Sequence, residues 1–314
     1  MNERFEFPAR IKKTSIALMV IGLLVLIIGG VTMLGSSDHN AQTRFWLVLL
    51  QTSVFFLLVT VASVFIQAAA SLAQGGWLVA YKRVPEAIGA NVWVFGLIAG
   101  IVLMYIAFGF NVGGHNPIYH WVHPEGDAVL EGKSAFLNKG MFAGFTIVTI
   151  ALWAFFGRKF RALSLAQEKA PKNSTKIYWT MFKWSAGFLL VYALTQMSTT
   201  PWMWIMSIDA HWYSTMFSWY TFASAFVSGM AIIMLFVLTI KNQGQFELVS
   251  KEHIHDIGKF MFAFSIFWTY VWFDQYMLIW YSNIPEETTY FKIRQQGPYS
   301  LIWYAVFIIN FCMP

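Results

Sequence analysis

Apolar residues run through this chain in long unbroken stretches, with little of the alternation or helical periodicity that marks a surface. No charge interrupts Thr14 to Leu34, Phe45 to Ala70 or Ala87 to Phe110. A helix rises about 1.5 Å per residue and a bilayer's hydrocarbon core is about 30 Å thick, so about 20 such residues cross it. Further spans are predicted from Lys139 to Gly157, Ile177 to Thr199, Trp212 to Ile240 and Gly258 to Tyr281. After Thr199, Pro201 and the sequence PWMWIMSIDAHW predict a bend that lies along the membrane interface, a depth that tryptophan favours. An eighth apolar run from Tyr299 is too short to cross, so the chain is expected to continue past Pro314. The pattern predicts an all-α, polytopic transmembrane bundle: a cytoplasmic segment over 1–13, then one helical domain over 14–314 with seven complete spans and a truncated eighth.

Composition agrees. Of 314 residues, 58% are hydrophobic and 11% charged, where a soluble domain carries about a quarter charged. The net charge of +6 does not indicate nucleic acid, because the basic residues sit in short strips between apolar runs. Arg4, Arg10, Lys12 and Lys13, then Lys82 and Arg83, then Arg158 to Lys176 and Lys241 to Lys259 occupy alternate loops. The opposite loops hold only Arg44, Lys133, Lys139, Lys292 and Arg294. Positive loops stay in the cytoplasm, which predicts a cytoplasmic N-terminus and places 111–135, 200–212 and 282–298 outside. The first apolar run exceeds a signal-peptide core and lacks a small-residue cleavage site, so it is expected to remain as an anchor.

Chemistry is sparse. The single cysteine, Cys312, excludes an intrachain disulfide and any iron–sulfur cluster held by this chain alone. No histidine lies deep in a predicted span, which argues against paired-histidine haem ligation. Asp274 stands out within the apolar seventh span. A carboxyl at a helix centre costs roughly 2.5–3.5 kcal/mol to insert, so it is expected to face a cavity or partner and becomes a candidate proton carrier. Tyr270 and Tyr281 share its helical face, and a structural hydrogen bond to a neighbouring helix is the plainer alternative. Asp209 and His211, at the outer interface, can exchange protons or hold a ligand headgroup. Two residues apart, they would diverge on one helix, so a shared site needs an irregular turn or another partner; solvated interface residues are the alternative. His253 and His255, beside Asp256, can feed protons into the seventh span or be ordinary surface histidines.

His115, His120, His123, Glu125 and Asp127 form a ligand-rich segment, but its glycines and proline predict a loop without a rigid ligand face. Contact with a partner is the favoured reading. Ser214, Ser218, Thr221, Ala225 and Ser228 form a small-residue stripe, and Gly96 and Gly100 a GxxxG step; both predict close helix packing.

From MSIDAHWYSTMFSWY through FWTYVWFDQYMLIWYSNIPEETTYFKIR the sequence resembles the second NrfD-like membrane subunit, the ActF type, of bacterial alternative complex III. QYMLIWYSNIPEET is the most specific part. That resemblance implies a fold of two four-helix bundles with flanking helices in a bacterial inner membrane. It implies a quinol-oxidising respiratory complex that passes electrons to cytochrome c or to a terminal oxidase. Implied partners are a homologous NrfD-like subunit, an iron–sulfur subunit, c-type cytochrome subunits and lipids. Haem c and the iron–sulfur clusters would reside in those partners, leaving this chain without a bound cofactor of its own, apart from a quinol such as menaquinol. On this reading the chain scaffolds redox partners and conducts protons past Asp274. The alternative is a quinol site near the outer face formed by Asp209, His211 and Asp274. A secondary transporter ranks last, because no matching pair of interrupted helices is evident.

Overall fold

The computed structural model describes residues 8–124, 126–171, 174–244 and 246–313; Arg4, Glu125 and Lys172, named above, lie outside them. The chain divides into two compact units at residue 51.

The first unit holds helix α1, Ala9–Leu34, and the beginning of α2, His39–Leu72. Asp38 caps α2, its carboxylate accepting from the Asn40 N–H at 2.9 Å. From Thr14 onward α1 is apolar on every side, and none of its residues is buried, the surface expected of a helix bathed in lipid. The Phe45 ring lies beside Gly29 and Gly30, at ordinary contact distance (3.7–3.9 Å) from where a Cβ would stand at either position.

The second unit begins within α2. A 3₁₀ turn at Gly76–Ala80 leads into α3, Arg83–Gly89, and α4, Val92–Phe108. A loop follows, then the short α5, Ala128–Lys133, and two long antiparallel helices, α6 over Lys139–Lys169 and α7 over Lys176–Met197. Asn138 caps α6 by accepting from the Met141 N–H at 2.9 Å. A π-helical turn, Thr199–Ile205, and a 3₁₀ turn, Met206–Asp209, lead to α8, Met216–Lys241, and α9, Lys251–Ser282. Asn283 closes α9 in the left-handed conformation (φ 49°), and Pro285 opens α10, Pro285–Gln296, with Glu286 and Glu287 in its first turn. α11, Ser300–Phe307, runs into a π-helical turn at Ile308–Cys312.

Five helical segments are long and apolar enough to cross a membrane: Ala9–Leu34, His39–Leu72, Arg83–Phe108, Lys139–Lys169 and Met216–Lys241. The protein is therefore helical and multi-pass. α7 and α9 occupy the predicted fifth and seventh spans but are less apolar, because Lys183 and Gln196 interrupt one and Asp256, Lys259, Asp274 and Gln275 the other. The third predicted span is divided at Ala90 and Asn91, where the Asn91 amide donates to the Ala87 carbonyl at 2.7 Å.

The segment expected to lie along the interface is largely buried within the protein. Thr199, Thr200, Pro201, Met203 and Trp204 are buried, leaving Trp202 exposed. The wider π turn accommodates a proline without an N–H, and the Trp204 indole N–H donates to Thr146 at 2.9 Å while Tyr119 holds the Trp204 carbonyl at 3.0 Å. Both small-residue predictions describe close packing. A Cβ on Gly96 would come within 2.6 Å of Ile150 on α6. On α8, Ser218 donates to the Met197 carbonyl at 2.9 Å.

Candidate functional sites along the helical bundle

At the end where α2, α6 and α8 finish, Glu86 of α3 is buried and surrounded by donors. Arg83 reaches its carboxylate at 2.7 Å and Arg161 of α6 at 3.0 Å, while the Ser164 hydroxyl donates to its other oxygen. Arg83 also pairs with Glu168. The carboxylate is 2% exposed and the two arginine side chains 27% and 34%, so the guanidiniums keep water while the anion depends on them. Charge-assisted bonds of this type fix α3 to α6. Beside the cluster, burial pushes the Lys82 ammonium below the ordinary lysine range, against Glu86, whose charge favours protonation; Arg83 adds to the fall. A cavity of about 200 Å³ opens here between α2, α3, α6 and α7.

A polar column crosses the interior. Thr146, Thr149 and Trp153 lie on one face of α6. Thr149 meets Thr199 at 3.1 Å, and the Trp153 indole donates to Thr195 at 2.8 Å. Beside them Gln196 is fully buried, and neither amide atom finds a partner among the described residues; the Thr200 hydroxyl is equally unpaired. Such groups cost free energy unless water or a ligand satisfies them.

At the opposite end, His211 Nε2 meets Asp127 Oδ2 at 2.6 Å. Asp127 also caps α5, accepting from the Val129 N–H at 2.9 Å and the Leu130 N–H at 3.2 Å. Desolvation opposes its charge, but the bonds from Leu130, His211 and Val129 outweigh it and hold the carboxyl below its usual range. A depressed folded pKa stabilises at pH values above the ordinary carboxylate range and is lost as pH falls through the folded value. Hydrogen exchange should therefore show the Val129 and Leu130 amides protected near neutrality and progressively released below about pH 4. Asp127→Ala should remove that protection near neutrality, and protection there equal to the wild type would disprove the role.

The adjoining cavity, about 480 Å³, is lined by Lys133, Phe136, Trp202, Ser207, Trp212 and Tyr213 among others. The Trp212 indole N–H is buried without a partner among the described residues. Trp212 stacks on Tyr290 of α10 at 4.2 Å and 11° between planes, and the Arg294 guanidinium lies 3.3 Å from the Tyr290 ring centre. Trp212, Phe217, Ile279 and Phe291 close the cluster.

The sequence candidates separate. His211 finds its partner in Asp127, while Asp209 is exposed at the end of its 3₁₀ turn. Asp274 is half-buried on α9 and forms no hydrogen bond or ion pair among the described residues; Tyr270 and Tyr281, on its face, are exposed. That face points away from the neighbours that cover Trp268, Val271, Gln275 and Ile279. His253 is occupied locally: its Nδ1 accepts from the Ser250 N–H at 3.2 Å and meets the Ser250 hydroxyl at 2.8 Å. His255 is exposed, and Asp256 pairs with Lys259 at 3.2 Å. His115, His120 and His123 do not gather, and no cluster of three metal-ligating side chains occurs among the described residues. The Glu86 cluster and the Gln196 column were not singled out from sequence. Glu86 stands next to Ala87, where the third apolar run begins, and an acid at the edge of such a run is the signal that marks it.

No family model matches the chain, and no curated protein is matched by it.

Proposed function

We propose that the protein is a non-redox integral membrane subunit of a quinol-oxidising respiratory complex of the alternative complex III type, with an NrfD-like fold, in a bacterial inner membrane. α7 and α9 then cross the membrane together with the five apolar segments, and the N-terminus lies in the cytoplasm. The observation that carries this reading is the Trp212–Tyr290 stack. The two stretches that resemble the family, far apart in sequence, meet there in one aromatic cluster. α10 covers that cluster and exposes Glu286 and Lys292, a charged surface suited to external iron–sulfur and c-type cytochrome partners. The chain scaffolds them and the homologous membrane subunit, while a terminal oxidase is the acceptor further on.

In this reading Asp274 belongs to a proton path completed by a neighbouring subunit, because its face is directed outward from the chain's own core. Isolation of the native assembly through a tag on this chain should bring down haem c and iron–sulfur subunits, identified by mass spectrometry and redox spectra. Asp274→Asn should leave the assembly intact and lower proton-coupled turnover. Isolation of the chain alone, active in moving a solute in liposomes, would defeat the assignment.

A second reading, a quinol site at the outer end, is favoured by the unpartnered Trp212 indole in the wall of the 480 Å³ cavity. An indole N–H can hold a quinol oxygen, and the nearby His211–Asp127 pair offers a proton acceptor. Quinone density in that cavity, within electron-transfer reach of a partner centre, distinguishes this reading from a pure scaffold.

A further inference from the structure

The cavity beside Glu86 lies at the basic end of the bundle and has two walls of different character. Leu78, Val79 and Met181 are on the apolar side of its lining, while Lys82, Glu86, Gln167 and Ser185 are polar residues of it. Ser185 is 1% exposed, and its hydroxyl has no partner among the described residues. Arg83 and Arg161 are engaged by Glu86 and Glu168. Lys82 forms no ion pair among the described residues, so the uncommitted charge at this rim is positive. At about 200 Å³ the space is smaller than the roughly 300–1,000 Å³ that encloses a whole drug-sized ligand. It suits a headgroup whose tail continues into the bilayer.

We propose that this cavity seats the phosphate-bearing headgroup of an anionic phospholipid, with Lys82 as its charge partner, Ser185 as a hydroxyl donor and the Leu78–Val79–Met181 wall against the first part of an acyl chain. An isolated ammonium on a partly dry wall gains more from an anion than from a neutral carbonyl, which favours phosphate over a quinone ring. The buried serine hydroxyl acquires the acceptor that it lacks. The inference rests on the membrane setting and is independent of the respiratory assignment.

The test uses the full chain in lipid nanodiscs. In discs of phosphatidylcholine with a minor fraction of phosphatidylglycerol, native mass spectrometry should find a retained phosphatidylglycerol. Lys82→Gln should lower that retention about five-fold, the effect of one basic residue near an anionic headgroup. Lys82→Arg should preserve it. Lys176→Gln, at the same end of the bundle but outside the cavity, should have no effect. Equal loss with Lys176→Gln, or retention unchanged with Lys82→Gln, would overturn the proposal. Acylation of Lys82 in the wild-type chain needs no variant. Phosphatidylglycerol should slow it relative to phosphatidylcholine alone. Equal slowing by inorganic phosphate in phosphatidylcholine discs would make free phosphate the ligand, and slowing only by a short-chain quinone would make it a quinone; either result would overturn the lipid assignment.

Discussion

Replacing both Arg83 and Arg161 with methionine is expected to destabilise the protein by about 3–5 kcal/mol, the cost of leaving one member of a buried ion pair without its partners. The asymmetry of the cluster sets that scale. Glu86 is 2% exposed, whereas its two arginines retain contact with water. Glu86→Gln should cost much less, since the guanidiniums it frees can hydrate and the amide still accepts from Ser164. Adding Glu86→Gln to the double arginine variant should recover most of the lost stability, because the unpaired charge disappears. Single arginine variants should fall between, each leaving one cation at the carboxylate. Thermal unfolding midpoints in one detergent provide the cycle. If the triple variant is no more stable than the double, the network is not coupled in this way.

That cluster also marks where sequence reading stopped. Length and polarity are sufficient for the long apolar segments, because a bilayer admits few alternatives to helix over about 20 apolar residues. The long helices consequently follow the apolar runs, apart from the break at Ala90 and Asn91 inside the third. Side-chain direction inside the bundle is not encoded so simply. Between Gly140 and Gly157 α6 is apolar over most of its circumference, and nothing in that composition says that Thr146 and Thr149 face inward to meet Trp204 and Thr199. The same limit explains Asp274. Its rarity in an apolar stretch makes it conspicuous, yet among the described residues the buried acid is Glu86, which stands beside Lys82 and Arg83 in a basic strip just before the third apolar run. An irregular turn or a partner from elsewhere was the condition for a site shared by Asp209 and His211, and the 3₁₀ turn between Met206 and Asp209 does not bring the two together: His211 pairs with Asp127 across the loop and Asp209 stays exposed.

The second large effect is expected at Gly157, which is a matter of space. α6 crosses α3 so closely that a Cβ at 157 would fall on the Gly89 carbonyl oxygen, and a Cβ on Gly89 would come within 2.7 Å of Val64 Cγ2 on α2. Three helices thus meet where two of them carry only hydrogen at the contact. The obstacle facing residue 157 is main chain, which cannot rotate away as a side chain does. Overpacking in a dense interior typically costs about 1–3 kcal/mol, and Gly157→Ala should reach the upper part of that range. Gly157→Leu should prevent recovery of folded protein from the membrane. Gly144, on the same helix with open space for 4 Å around the point a Cβ would occupy, provides the contrast: Gly144→Ala should be neutral or slightly stabilising, because alanine favours helix by about 1 kcal/mol. Fluorescence-detected size exclusion after a temperature ramp measures all three. The displacement of α3 by Gly157→Ala should also loosen Arg161 from Glu86, so the loss on adding Glu86→Gln should be smaller in that background than in the wild type. Equal losses in both backgrounds would mean that the helix crossing and the ion cluster stabilise the bundle independently.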